Sequence, residues 1–241
     1  VTPDVTTTAD VEWWMREKIQ SLNYTTWFQP TVTIVKPGSP WGVKETDEDD
    51  DDPDRPITYG DCLHVDFGVT AMGMNTDTQH LAYVLPPGET SHDAVPQGFK
   101  DGLRKGNRLQ DITRTHMKAG KKGNDVLREV RAQMKEEGIE GRVYSHPIGD
   151  WGHSAGGVIG MTNMQDNVPN IGELPLVENS WYSVELMADH FVPEINKTLS
   201  FPLEEDVYYT KEGTYEWVYG RQEKFHLIKT PAAGYMPQEE L

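Results

Sequence analysis

The sequence predicts an α+β fold in which a mostly antiparallel sheet is flanked by helices. Two observations carry that prediction. The recognisable elements run helix, strands, two helices, strands. The chain of 241 residues, 36% hydrophobic and 10% aromatic with seven tryptophans, has apolar area for one large domain or two small ones.

Thr7 to Leu22 reads as a helix. Thr7 and Asp10 form a capping-box pattern, and Val11, Trp14, Met15, Ile19 and Leu22 share one face. Residues 36–58 are rich in Gly, Pro and Asp and read as loop. Cys62 to Val69 alternates as a strand does: Leu63, Val65, Phe67 and Val69 point one way, and Cys62, His64, Asp66 and Gly68 the other. A second strand covers His80 to Leu85 and is closed by Pro86-Pro87-Gly88. Phe99, Leu103 and Ile112 mark a helix over 96–118, and Val126, Val130 and Met134 another that stops at Gly138. From residue 143 glycines interleave with His146 and His153, and short strands are expected at Trp181–Met187 and Val207–Tyr209.

The formal charge of −17 would repel a nucleic-acid backbone, so nucleic acid is not an expected partner. Part of the excess sits in the run 46–54, TDEDDDDPD, which reads as a solvated loop, with a weak cation site as the lesser reading. Nothing resembles a membrane span or a signal peptide. The single Cys62 excludes an intrachain disulfide and fits a reducing compartment, with the cytoplasm favoured over others. The chain opens without an initiator Met, which leaves room for an upstream segment.

Several acids stand where a bare charge is costly. Asp66 lies mid-strand between Val65 and Phe67, and Asp77 follows at the entry to the next strand. Adjacent strands joined by a short turn would bring the two carboxylates together, with a proton or a cation between them; otherwise Asp77 faces solvent. His146 and His153 share a Gly-rich run that lets backbone approach closely; each is either a ligand or an ordinary surface or core histidine. Glu185 is the one charge in the strand WYSVELM, and Glu204 precedes another strand; the alternative for each is a structural ion pair. Together these residues make a mixed oxygen and nitrogen donor set suited to Mn, Fe, Co or Zn rather than Ca.

In that order and context the residues resemble the pita-bread metallopeptidases: methionine aminopeptidase, aminopeptidase P and prolidase, with creatinase as a metal-free relative. The family's five ligands run Asp, Asp, His, Glu, Glu, the first two eleven apart, as Asp66 and Asp77 are. Its histidine block is similar to His146-Pro-Ile-Gly through His153, and its fourth ligand lies in a strand like Ser183-Val184-Glu185-Leu186. The spacing to Thr210 and Gly213 selects Glu204 over Glu205 as the fifth. The stretches SHPIG, TDTQHLAYVL and PLEEDVYYT resemble a bacterial branch nearer to the Xaa-Pro peptidases.

The resemblance implies a curved pita-bread sheet spanning 1–241 as one catalytic domain. It implies two divalent cations, manganese first and cobalt, zinc or iron as alternatives. Asp77 and Glu204 would bridge them, Asp66 would serve one, and His146 and Glu185 the other. Glu185 would also move a proton and His153 would contact substrate. The implied activity is hydrolysis of the N-terminal peptide bond of short peptides, with Xaa-Pro as a candidate, and relatives suggest a homodimer. Three departures stand beside this. No histidine occupies the family's position 17 or 18 residues before Asp66, near Glu48, although His64 could partly substitute; Pro202 stands where the Xaa-Pro enzymes have Arg; Leu186 follows Glu185 where the family has Pro. Hydrolysis of another amide or ester, a metal-free binding module, and creatinase-like chemistry therefore stay open.

Overall fold

The computed structural model describes residues 1–37 and 55–231. The acidic run 46–54, the cation site weighed there, the position near Glu48 and most of the expected loop lie outside the described residues.

Helix α1 spans Thr8–Ser21. Its start is fixed as the sequence predicts: the Asp10 amide donates to the Thr7 hydroxyl at 3.1 Å, and the Thr7 amide to the Asp10 carboxylate at 2.9 Å. Its apolar stripe is only partly covered. Ile19 is buried and Val11 packs on a small cluster of Ile57, Leu63, Ala82 and Val84, but Trp14 and Leu22 are 62% and 55% exposed.

The strands are β1 Thr31–Ile34, β2 Cys62–Phe67, β3 Thr70–Ala71, β4 Met74–Asn75, β5 Thr78–Val84, β6 Gly141–Val143, β7 His146–Gly149, β8 Gly152–His153, β9 Trp181–Val192, β10 Lys197–Tyr209, β11 Tyr215–Trp217 and β12 His226–Ile228. Among the described residues ten of them form one sheet, in the order β1-β2-β5-β10-β9-β7-β8, with β11 on β10, β12 on β5 and β6 on β9. Every pairing is antiparallel except β12 with β5. The remaining pair, β3 and β4, makes a separate hairpin between β2 and β5.

Strands β9 and β10 run well beyond the expected Trp181–Met187 and Val207–Tyr209. Pro202 and the acids Glu204, Glu205 and Asp206 interrupt the apolar pattern that would have marked β10. The long β9–β10 hairpin holds those residues in place, and β5 is in register with β10 only at Glu204, so Pro202 has a strand neighbour on one side only, where a missing N–H is tolerated.

Two helices, α2 Gln97–His116 and α3 Gly123–Glu137, cover one face of this hairpin; α3 ends at Gly138 with a left-handed φ of 66°. Phe99, Leu103, Leu109, Ile112, Val126 and Val130 form one core with Leu186, Phe201 and Leu203. The approach is close. A Cβ at Gly102 would lie 2.3 Å from the Phe201 ring, and one at Gly106 would lie 2.6 Å from Leu203. Because a strand alternates its side chains, Leu186 and Leu203 face the helices while their neighbours Glu185 and Glu204 face the other way. No helix among the described residues is long and apolar enough to cross a membrane.

Candidate metal centre

Five elements meet at this opposite face. Glu185 and Glu204 are direct cross-strand partners on β9 and β10. Gln79 of β5 sits opposite Glu204 on one side and opposite Asp66 of β2 on the other. Asp77 lies just before β5, and His146 opens β7 opposite Ser183 of β9. The β3–β4 hairpin takes up the chain between the two aspartates, so Asp66 and Asp77 reach one place although they are not register partners.

Ligand atoms of Asp66, Asp77 and Glu204 lie within 4.8 Å of one another, as do those of His146, Glu185 and Glu204, and those of Asp77, His146 and His153. Glu204 belongs to the first two groups and is 1% exposed. Its neighbour Glu205 points away, accepting from His80 Nε2 at 2.9 Å and from the Gln222 amide at 2.8 Å.

The electrostatics are those of a cluster short of positive charge. Burial, then the charges of Glu204 and Glu185, push the Asp66 carboxyl up to about 8. Burial and Glu204 push Asp77 up to about 11, and burial and Glu204 push Glu185 up to about 7. Burial alone would lower the His146 imidazole, but Glu185 and Glu204 outweigh it and hold the ring well above its ordinary range. Asp206, whose carboxylate accepts from the Asp77 amide at 3.2 Å, is raised by burial to about 8.

The residues fit a divalent cation. His146 Nδ1 lies 3.2 Å from the Pro147 carbonyl and donates to it, so in the neutral ring Nε2 presents its lone pair to the cluster. That Nε2 is buried without a hydrogen-bond partner, 3.3 Å from Glu204, 3.5 Å from Glu185 and 3.8 Å from Asp77. Asp66 Oδ1 is likewise buried and unpartnered. Unpaired donor atoms converging with several carboxylates, with only one histidine to offset them, are what a cation satisfies and protons satisfy at a cost. Carboxylate and imidazole donors without thiolate suit Mn, Co, Zn or Fe.

Around this set lie three residues the sequence did not single out, Gln79, Ser183 and Trp27, and two that it did, His64 and His153. Gln79 donates from Nε2 to Glu185 at 2.9 Å and to Glu204 at 2.8 Å. Ser183 donates to the other Glu204 oxygen at 2.5 Å. His64 stands on the strand face of Asp66, yet its Nε2 meets Gln79 Oε1 at 2.8 Å, so it touches the five through that amide. His153 stands at the open edge, half exposed, with Nε2 3.6 Å from Asp77 and its ring 4.0 Å from that of His146. Burial, then the His146 charge, lowers it to about 4. Trp27 packs edge-on to His153 at 5.3 Å and is tied by Nε1 to the Thr76 carbonyl. Alternation along β5 was the signal available for Gln79: it lies two residues from Asp77, on the same side. Nothing in the sequence marked Ser183 or Trp27.

The sequence model described as Metallopeptidase family M24 matches residues 1–211. Among solved structures, X-Pro aminopeptidase from Thermotoga maritima MSB8 superposes with a TM-score of 0.67 at 21% identity, over 94% of this chain and 57% of that one. Xaa-Pro dipeptidase from Bacillus anthracis gives 0.63 at 20% identity, over 94% and 56%. Methionine aminopeptidase from Rickettsia prowazekii gives 0.58 at 17% identity, over 89% and 86%. The chain thus has the fold of these proteins, the pita-bread sheet the sequence led us to expect, and spans a little over half the length of the two Xaa-Pro enzymes. None of the curated proteins compared with the chain matches it.

Proposed function

We propose, from the premise that this chain belongs to metallopeptidase family M24, that it is a metal-dependent peptidase that removes the N-terminal residue of short peptides, Xaa-Pro among them. The observation that carries this is the unpartnered His146 Nε2 aimed into Asp77, Glu185 and Glu204 beside the unpartnered Asp66 oxygen. The Xaa-Pro reading draws on the similarity in fold to an X-Pro aminopeptidase and an Xaa-Pro dipeptidase.

Asp66, Asp77, His146, Glu185 and Glu204 would hold two divalent cations, manganese first, with Asp77 and Glu204 shared. When bound, such cations polarise a carbonyl and make water a usable nucleophile near neutral pH. The chain's own residues do the rest. Glu185, between Gln79 and His146, takes a proton from the attacking water and returns it to the leaving amine. His153, at the open edge, donates to the substrate carbonyl oxygen as charge develops there. Trp27 backs His153 and shields it from bulk water on that side.

A second reading, hydrolysis of a non-peptide amide or ester at the same centre, is favoured by Pro202, buried where the Xaa-Pro enzymes carry an Arg. The test is a panel of Xaa-Pro, Met-Xaa and non-proline dipeptides assayed with Mn, Co and Zn and after chelation. Turnover of dipeptides that chelation abolishes supports the first reading. A chain that takes up metal and cleaves none of them, but cleaves other amides or esters, supports the second.

A further inference from the structure

We propose that Gln79, oriented by His64, is a positioning residue that presents Glu185 and Glu204 to the metal centre; the inference rests on the metal-binding reading above. The geometry fixes which way every hydrogen bond runs. Gln79 Nε2 faces two carboxylate oxygens, at 2.9 Å on Glu185 and 2.8 Å on Glu204. An ionised carboxylate only accepts, so with either glutamate ionised the end of the Gln79 amide between them must be the NH2, and with both ionised, as a bound cation would hold them, both of its hydrogens are used. Its oxygen then faces His64 Nε2 at 2.8 Å and can only accept, so that nitrogen carries the ring proton. The Nδ1 of the neutral ring is left with a lone pair, and the Thr33 hydroxyl lies 3.3 Å from it as donor. The chain Thr33, His64, Gln79, then Glu185 and Glu204, therefore donates in one direction toward the acids.

This direction matters because Gln79 is 2% exposed and sits between the two strands that carry Asp66 and Glu204. It takes one oxygen of each glutamate. Ser183 holds the other oxygen of Glu204, and the other oxygen of Glu185 is 3.5 Å from His146 Nε2. The two carboxylates are thereby held apart by a neutral donor in a fixed orientation rather than left to repel, and their remaining edges face the His146 side. Groups of this kind set ligand orientation, and their loss typically weakens metal binding about 10–100-fold. His64, which touches none of the five ligands through a hydrogen bond of its own, acts on the centre through the Gln79 amide.

Calorimetric titration of the chelator-treated full chain with MnCl2 tests this, together with the nitrogen NMR signature of the His64 ring in the metal-free protein. Gln79→Met, similar in size but without donors, is expected to weaken Mn²⁺ binding about 10–100-fold. His64→Phe is expected to weaken it in the same direction, and the double variant no further than Gln79→Met alone. The His64 ring is expected as the Nε2–H tautomer in the wild type and to lose that preference in Gln79→Met. Wild-type Mn²⁺ affinity in Gln79→Met, additive losses in the double variant, or an Nδ1–H ring in the wild type would each overturn the inference. If the wild-type chain binds no Mn²⁺ at all, the proposed function fails instead, and the tautomer still decides the relay.

Discussion

Removing the cations should turn the centre into a source of instability that grows with pH. The folded chain holds Asp66 at about 8, Asp77 at about 11 and Glu185 at about 7, all far above their ordinary values near 4. A carboxyl raised on folding binds its proton more tightly in the native state than in the unfolded one. Between the unfolded and the folded value the native chain therefore carries the extra proton, and stability falls as pH rises. His146, raised above its ordinary value, acts in the same sense above about pH 6.5. Because the groups interact, one net extra proton is the conservative count. Over pH 6.5 to pH 8 it gives a slope of about 1.4 kcal/mol per pH unit, or about 2 kcal/mol in all. For a chain of this size that corresponds to a drop of about 4–8 °C in Tm. Histidines lowered on folding by burial, such as His153 at about 4 and His64, act in the opposite sense up to about pH 6.5, and carboxylates lowered on folding, such as Glu137 beside Arg108 at about 2, do so below about pH 4.5, so both lie outside this window. Divalent cation replaces the protons, so in excess Mn²⁺ the fall should flatten or reverse. Free cation at 100 times its Kd adds about 2.7 kcal/mol. Thermal unfolding at pH 6.5, 7, 7.5 and 8, in chelator and in MnCl2, reads this directly. A chelated protein that holds level or gains stability from pH 6.5 to pH 8, or superposable curves with and without Mn²⁺, would refute the reasoning.

Two further outcomes follow from particular contacts. His153→Ala removes a half-exposed ring from the edge of the centre, and should lower kcat about 10²–10³-fold with Mn²⁺ stoichiometry and Tm unchanged; loss of bound metal in that variant would make His153 a ligand. Gly102→Ala places a Cβ 2.3 Å from the Phe201 ring where α2 crosses β10, and should cost about 1–3 kcal/mol in denaturant unfolding; an unchanged midpoint would show that the helix shifts freely there.

Much of the centre was legible because its residues violate a local rule. Asp66 in a strand, Glu185 in an apolar run and His146 among glycines each stood out against their neighbours, and the structure brings the three together with Asp77 and Glu204. The long strands were less legible for the same reason. The acids and Pro202 of β10 erase its apolar alternation, so only its last three residues looked like a strand, whereas the structure extends it back to Lys197. Short strands such as β1 and β12, held by edge pairing and not by pattern, gave no signal of their own. The stripe on α1 was legible as a helix but not as a half-covered one, since periodicity does not say what packs against it. Gln79 and Ser183 were missed because a polar residue in a strand is ordinary until its partner is known. Their partners are 106 and 125 residues away for Gln79 and 21 away for Ser183.

The central claim is that these five side chains hold divalent metal. Elemental analysis of the chain and of Asp66→Asn, each purified without added metal and then equilibrated with Mn²⁺, measures it most directly. Two bound ions per wild-type chain and one in Asp66→Asn are the expected result. A wild type without stoichiometric metal, or Asp66→Asn with the full wild-type content, would contradict it.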